Sequence, residues 1–532
     1  MSSRFQIKDF KLPLRKVDRA KGNVDRQLRP HLAAHLQLPE ESVVHYEIRQ
    51  KSLDARKKGQ LAFIYSLEVE LAAGIKTPSG LFPAEVETQL DPARFVSARL
   101  PQMPIVVGTG PAGLLSAWLL ALNGCRPVVI DRGYDVDRRG ADFESFFRCR
   151  ELNTESNFLY GEGGAGTYSD GKLYTRTRDP RIRQILELFI AAGAPAEIAY
   201  LKRPHIGSDI LPVMVRNLRR KIEELGGSFL WGKEVVAPLI RNARCGGVRL
   251  RDGECLEAPA VFMGFGLSAR ELIANMVACG IAHDLKGFQL GARIEHPQKM
   301  IDANQFGLTE RPECLGAAEY NFVSRPPAGS TIAGVSSFCM CPGGEIVPAT
   351  AHENRLSTNG MSRYRRDGEF ANSCLIVSFQ PEEFGDAGAV FDFIDQLEKN
   401  AFEHGGGDYT APGQDAAAFI RGENLLAHRQ TSYRLGLTPS RLDQLLPDKV
   451  TRAFREALVQ FDRQCPGFVR QGKLVGIETH VSSPVRFLRS PETLESSLPG
   501  LYVTGEGAGY AGGIVSAAVD GLKAAEKYLE TR

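Results

Sequence analysis

The chain is 532 residues long, 43% hydrophobic and 24% charged, the balance of a folded globular protein of roughly two to four domains rather than a disordered or fibrous one. Lys and Arg total 65 against 63 Asp and Glu, and the resulting +2 sets up no whole-chain field of the kind that gathers nucleic acid or anionic membrane. Ten scattered cysteines do not make a disulfide scaffold and read as reduced thiols.

The N-terminal run MSSRFQIKDFKLPLRK is charged and carries no apolar signal region, and the apolar stretch 114–122 is too short to span a bilayer. A soluble, cytoplasmic protein without a membrane partner is the expectation. Alternating apolar residues predict strands over 4–14, 43–52 and 61–71, with a helix over 24–38. Residues 1–100 thus form a small α+β module. It is basic as far as Lys58, including the turn LDARKKGQ, which reads first as a solvated face and alternatively as an RNA-docking surface. Pro78, Pro83 and Pro92 mark a linker ending near Pro101 or Pro104.

Pro104-Ile-Val-Val then opens a short apolar strand that runs into Gly108-Thr-Gly110-Pro111-Ala112-Gly113. A helix follows, and a second strand ends at Asp131-Arg132. Gly108 allows the tight turn, Gly110 lets a pyrophosphate approach the backbone, and Gly113 lets helix and strand pack closely. The helix N-terminus attracts phosphate, and Asp131 is placed to accept from ribose hydroxyls. With strand, helix, second strand and acid in register, a dinucleotide site follows.

Downstream, GEGGAGTYSDGK (161–172) is rich in glycine. Strands are expected over 288–295, 331–338 and 374–379 and a helix over 452–465. Residues 101–285 and 470–532 therefore form a discontinuous Rossmann-type α/β domain, with 286–469 inserted as a β-rich substrate domain. The C-terminal run Gly500-Leu-Tyr-Val-Thr-Gly505-Glu506-Gly507 leads through Gly512-Gly513-Ile514 into a helix. This is a second place where a helix N-terminus meets a glycine turn. No second strand–GxGxxG–helix unit for NAD(P)H is visible. Cys339-Met-Cys341 lacks zinc or thioredoxin spacing and reads as apolar filling of a turn, with a redox pair as the alternative.

These segments resemble the glutathione-reductase-like flavoprotein superfamily. Longer words, NFLYGEGGAGTYSDGKLYTR (157–176), CMCPGG (339–344), STNGMS (357–362) and SSPVR (482–486), resemble its bacterial FAD-dependent, NAD(FAD)-utilising dehydrogenase branch. The resemblance implies FAD, with NAD(P)H as a possible transient reductant of an unknown small-molecule substrate. Gly108, Gly110, Pro111, Ala112, Gly113, Asp131 and Arg132 would hold its ADP half. Gly164, Gly166, Thr167, Ser169 and Lys172 would run along the pyrophosphate and flavin edge. Gly266, Gly505, Glu506, Gly512, Gly513 and Ile514 would flank the flavin end. Lys172 and His480 are the catalytic candidates. Where that branch usually has a histidine, this chain has Leu267, so a mechanism relying on it does not carry over. The expected function is an FAD-dependent oxidoreductase moving hydride to or from flavin N5. The alternatives are a flavoprotein acting on RNA and a non-catalytic FAD-binding protein.

Overall fold

The computed structural model describes residues 3–17, 23–75, 81–83, 91–95, 102–326, 329–427 and 429–531; Pro78 and Pro101 of the expected linker lie outside them. The N-terminal strands pair antiparallel in the order Val43–Asp54, Ala62–Leu71, Ser3–Pro13, Phe82–Pro83. One face is covered by the helix Leu28–Leu36, which buries Leu28, Leu32 and Leu36. The helix expected over 24–38 begins instead as a 3-10 turn, Val24–Gln27, where the Asn23 side chain accepts from Asp25 N. It stops at Gln37, in left-handed conformation at φ 58°. The module shares one continuous apolar cluster with the inserted domain. It is pinned by main-chain hydrogen bonds, Lys51 N to Tyr200 O (2.8 Å), Lys202 N to Lys51 O (2.9 Å) and Gly59 N to Phe306 O (2.7 Å).

Five parallel strands build the Rossmann-type sheet, in the order Leu501–Val503, Val261–Met263, Ile105–Val107, Val128–Asp131, Ser228–Trp231. The three central ones are apolar and almost wholly buried, as a sheet covered on both faces requires. On one face the helices Pro111–Leu122 and Ile514–Glu530 lie together. A Cβ on Gly521 would come within 2.1 Å of Ala112 O, and Ser116 Oγ donates to Gly521 O (2.9 Å) across the contact. The other face carries the antiparallel meander Val235–Arg241, Arg244–Leu250, Cys255–Glu257.

The inserted domain centres on a six-stranded sheet ordered Ser336–Cys341, Phe370–Phe379, Phe288–Pro297, Lys473–Glu478, Ala411–Asp415, Leu437–Pro439. Two long amphipathic helices, Ala387–Gly405 and Asp448–Gln464, join it, so the region is more mixed than its strand pattern suggests. The strand expected over 331–338 starts at Ser336 and runs to Cys341. Val335 is held to Ser324 by Ser324 N to Val335 O (2.8 Å) and Val335 N to Ser324 Oγ (2.8 Å), which keeps the preceding residues out of the sheet. Lys473–Glu478, expected in the returning part, is a strand of this inserted sheet. Among the described residues no helix is long and apolar enough to cross a membrane.

Candidate cofactor and substrate cavity

The first glycine turn follows the central strand Ile105–Val107. Gly108 sits at φ 91°, and a Cβ there would stand 2.4 Å from Gly264 O, so only glycine fits. A Cβ on Gly113 would come within 1.8 Å of Gly108 O; this residue packs helix on strand. Gly110 differs from both. Its φ is an ordinary −67° and a Cβ on it meets nothing within 4 Å. The space it leaves belongs to a cavity of about 570 Å³ running between the sheet domain and the inserted domain.

Every residue expected at the cofactor lines this cavity except Gly113 and Thr167, and so do Lys172 and His480. Thr167 lies beneath the loop, its Oγ1 donating to Glu162 O (2.8 Å). Two helix N-termini reach the same cavity. Neither the one capped by Gly110 nor the one capped by Gly513 has a side chain bonded to its first amides, so both ends present unpaired N–H groups and positive potential.

Asp131 is engaged more fully than expected. One carboxylate oxygen accepts from Thr109 N (2.8 Å) and Thr109 Oγ1 (2.5 Å), the other from Gly133 N (2.8 Å) and Gly161 N (3.1 Å). Those four bonds match the acceptor capacity of a carboxylate, so its role here is to lock the glycine turn to the 161–171 loop. Arg132 beside it pairs with Glu155 (2.8 Å) and Glu234 (3.1 Å) and lies over the Tyr160 ring at 4.2 Å. The loop is also held from beneath by Arg139, fully buried, which donates to the carbonyls of Glu162 (2.6 Å) and Asn157 (3.0 Å).

At the other end, Lys172 is fixed by Asp170 (2.7 Å) and donates to Met340 O. Burial opposes its charge but the Asp170 carboxylate outweighs it, so its pKa is raised. Asp170 is itself gripped by Arg366 at 2.8 and 2.6 Å. His480 is almost fully buried. Its Nδ1 faces Ser268 Oγ at 2.9 Å, and its Nε2 lies 3.4 Å from both Glu398 Oε1 and Arg270 Nη2. Burial lowers its pKa against the pull of Glu398. Glu398 is held ionised against burial by Arg270 and accepts from Thr479 Oγ1 (2.5 Å). Ser268 and Glu398 were absent from the sequence reading.

Glu506 faces the cavity without a hydrogen-bond partner among the described residues, and burial pushes its pKa up to about 7 against the opposing charge of Lys286. Behind this end, Arg293 and Glu478 form a wholly buried pair at 2.5 Å. Arg293 also donates to Asn359 Oδ1 (2.6 Å), Asn372 Oδ1 (3.0 Å) and Cys339 O (3.0 Å). Cys339, expected in a turn, lies within the strand Ser336–Cys341 and stands on the cavity wall. Arg486 pairs with Asp284 on the surface (2.9 Å).

A parallel sheet with a glycine turn at its centre and two bare helix ends on one cavity defines a Rossmann-type α/β fold. Residues 287–481 match the family model described as FAD-dependent protein, C-terminal domain-like, and residues 7–70 match a domain of unknown function, DUF8436. The chain is 37% identical over 512 residues to an uncharacterized protein of Clostridium beijerinckii, covering 94% of this chain and 96% of that one. It belongs to the same family as that protein. Solved structures with a similar chain course include a geranylgeranyl bacteriochlorophyll reductase-like protein of Thermoplasma acidophilum. It is 12% identical, with 81% of this chain and 79% of that one covered and a TM-score of 0.34. CtdE in complex with FAD is another, also 12% identical, with 80% and 83% covered and a TM-score of 0.32.

The residues present fit FAD. Gly110 leaves open space at a bare helix end, Gly513 provides a second one, and the Glu506 carboxyl, without a hydrogen-bond partner among the described residues, offers an acceptor for a hydroxyl in the same cavity.

Proposed function

We propose that this protein is an FAD-dependent dehydrogenase that oxidises or reduces a small organic substrate at a carbon next to oxygen or nitrogen, with NAD(P)H as a transient reductant. The cofactor, when bound, supplies the hydride acceptor or donor. The accompanying proton is the task of the chain, and the observation that carries the reading is the Ser268–His480–Glu398 line of hydrogen-bonding groups ending at the cavity. A depressed pKa keeps His480 neutral near pH 7, ready to take a proton through the Ser268 hydroxyl. Glu398, kept ionised by Arg270, favours the imidazolium that forms. Lys172 is committed to Asp170 and Met340; its part is to set positive charge beside the cavity.

The RNA reading draws little from the module, where Arg4, Lys11, Arg49, Lys51 and Arg56 all pair with acidic neighbours. The test is anaerobic bleaching of the flavin band by a panel of hydroxy acids, amines, NADH and NADPH. With a hydroxy acid or amine as donor, Ser268→Ala and His480→Gln should slow bleaching about 10²–10⁴-fold with FAD content unchanged, whereas NADH and NADPH, which give up a hydride and no proton, should bleach both variants at the wild-type rate. A flavin that dithionite reduces but no panel member does, or variants that bleach at the wild-type rate with the hydroxy acid or amine, would overturn the proposal.

A further inference from the structure

One feature of the cavity wall has no part in hydride chemistry. The strand Ser336–Cys341 pairs regularly with Phe370–Phe379 until Phe338, then skips a residue before Cys341 meets Asn372. The extra residue falls at Cys339–Met340, and Cys339 has φ 44°. A left-handed conformation at a residue with a Cβ is strained and persists where surroundings enforce it. Here two cations enforce it: Arg293 Nη1 donates to Cys339 O (3.0 Å) and Lys172 Nζ donates to Met340 O. This chain places a thiol there.

The two thiols are not equivalent. Cys339 lines the cavity and is partly accessible, whereas Cys341 is wholly buried behind it. Cys341 Sγ donates to Cys339 O (3.4 Å), and the charges of Lys172 and Arg293 draw Cys339 toward thiolate while burial keeps Cys341 a thiol. Cys339 and Glu506 line the same cavity. An outward thiolate with a protonated thiol behind it is the division of labour that thiol–disulfide exchange requires.

We propose that Cys339 and Cys341 form a redox-active dithiol that reduces small disulfide substrates entering the cavity. Cys339 thiolate attacks one sulfur of the substrate; the S–S bond breaks, one half leaves and takes up a proton, and the other stays bonded to Cys339. Cys341 then gives up its proton, its sulfur displaces the second half, and that half leaves as a thiol. The substrate gains an electron pair and two protons, and the chain keeps a Cys339–Cys341 disulfide. A bridge across one intervening residue closes a tight ring, and such strained bonds are the readily reduced ones. Its reduction takes an electron pair and two protons, for which reduced FAD of the proposed oxidoreductase is the donor. Repeated turnover therefore rests on that reading, but the first exchange does not.

The experiment uses flavin-stripped full-length protein, reduced and desalted, in which the exposed or half-exposed Cys149, Cys255, Cys279 and Cys314 are serine. Oxidised glutathione is the probe, with thiol release and mass mapping of the peptide spanning 339–341 as readouts. Both glutathione halves should be released as thiols, and the peptide should lose two hydrogens. Cys341→Ser should stall at one glutathione bonded to Cys339, and Cys339→Ser should not react. No bridge in the folded parent, or a Cys341→Ser adduct forming no faster than on an unfolded chain, would overturn the dithiol. FAD that still binds while no bridge forms sinks this inference alone. A bridge that forms in a chain unable to bind FAD sinks the flavin reading alone.

Discussion

Gly110→Val separates the cofactor motif from the fold. Gly108 and Gly113 cannot be used for this purpose, because an added Cβ would lie 2.4 and 1.8 Å from carbonyl oxygens and the chain itself would shift. At Gly110 the φ of −67° and ψ of 176° suit a β-branched residue, and no protein atom lies within 4 Å of the added carbon. Exchanging glycine for valine at a helix N-cap costs about 1 kcal/mol, offset by about 0.4–1 kcal/mol from the stiffer unfolded chain. The apoprotein should therefore unfold within about 1 kcal/mol of wild type. The bound state loses more. Overpacking against the pyrophosphate costs about 1–3 kcal/mol, and loss of one charge-assisted bond from the helix amides adds about 1.5–3 kcal/mol. Together these weaken FAD binding by at least about 60-fold. Flavin-fluorescence titration of the stripped protein, beside urea unfolding of the same samples, reads both quantities. A stable variant that binds FAD as tightly as wild type would refute the assignment of this turn to the pyrophosphate.

Arg293→Ala leaves Glu478 buried without its cation, and urea unfolding should show a loss of about 3–5 kcal/mol; the double variant Arg293→Met, Glu478→Leu should recover much of it. A single variant within about 1 kcal/mol of wild type would mean that the pair is hydrated. Glu506 has a folded-state pKa of about 7 against an ordinary 4.5, so between those values the folded chain holds the extra proton. Stability of the apoprotein should then fall as pH rises through that window, by at most about 3 kcal/mol. Glu506→Gln should flatten that part of a pH series of melting curves; an unchanged slope would place the titrating group elsewhere.

What the sequence shows and what it hides divide along distance in the chain. The glycine turn, its strands and Asp131 lie within about 30 positions and carry their own periodicity and turn chemistry, so they are legible. The proton line is not: Ser268 and His480 are 212 positions apart, and Thr479 and Glu398 are 81 apart. No local pattern marks such a meeting. Asp131 was legible as an acid at a strand end, but its bonds to Thr109, Gly133 and Gly161 depend on a loop that composition alone does not fold back. Residues 331–335 read as strand from their apolar content, yet the bonds between Ser324 and Val335 hold them outside the sheet. The Cys339 bulge has no sequence signature at all, because the residue that takes the left-handed turn there is not glycine.

The main-chain bonds at Lys51 carry a mechanical consequence. Lys51 bridges to Leu201, and four residues further on His205 bridges to Lys172. A single taut run of peptide thus connects a strand of the N-terminal sheet to the lysine at the cavity wall. Any free energy by which removal of the module weakens the hold on Lys172 must, by linkage, equal that by which displacing Lys172 weakens the seat of the module. The N-terminal residues are in this sense seated on the same stretch of main chain that pairs with the cavity lysine.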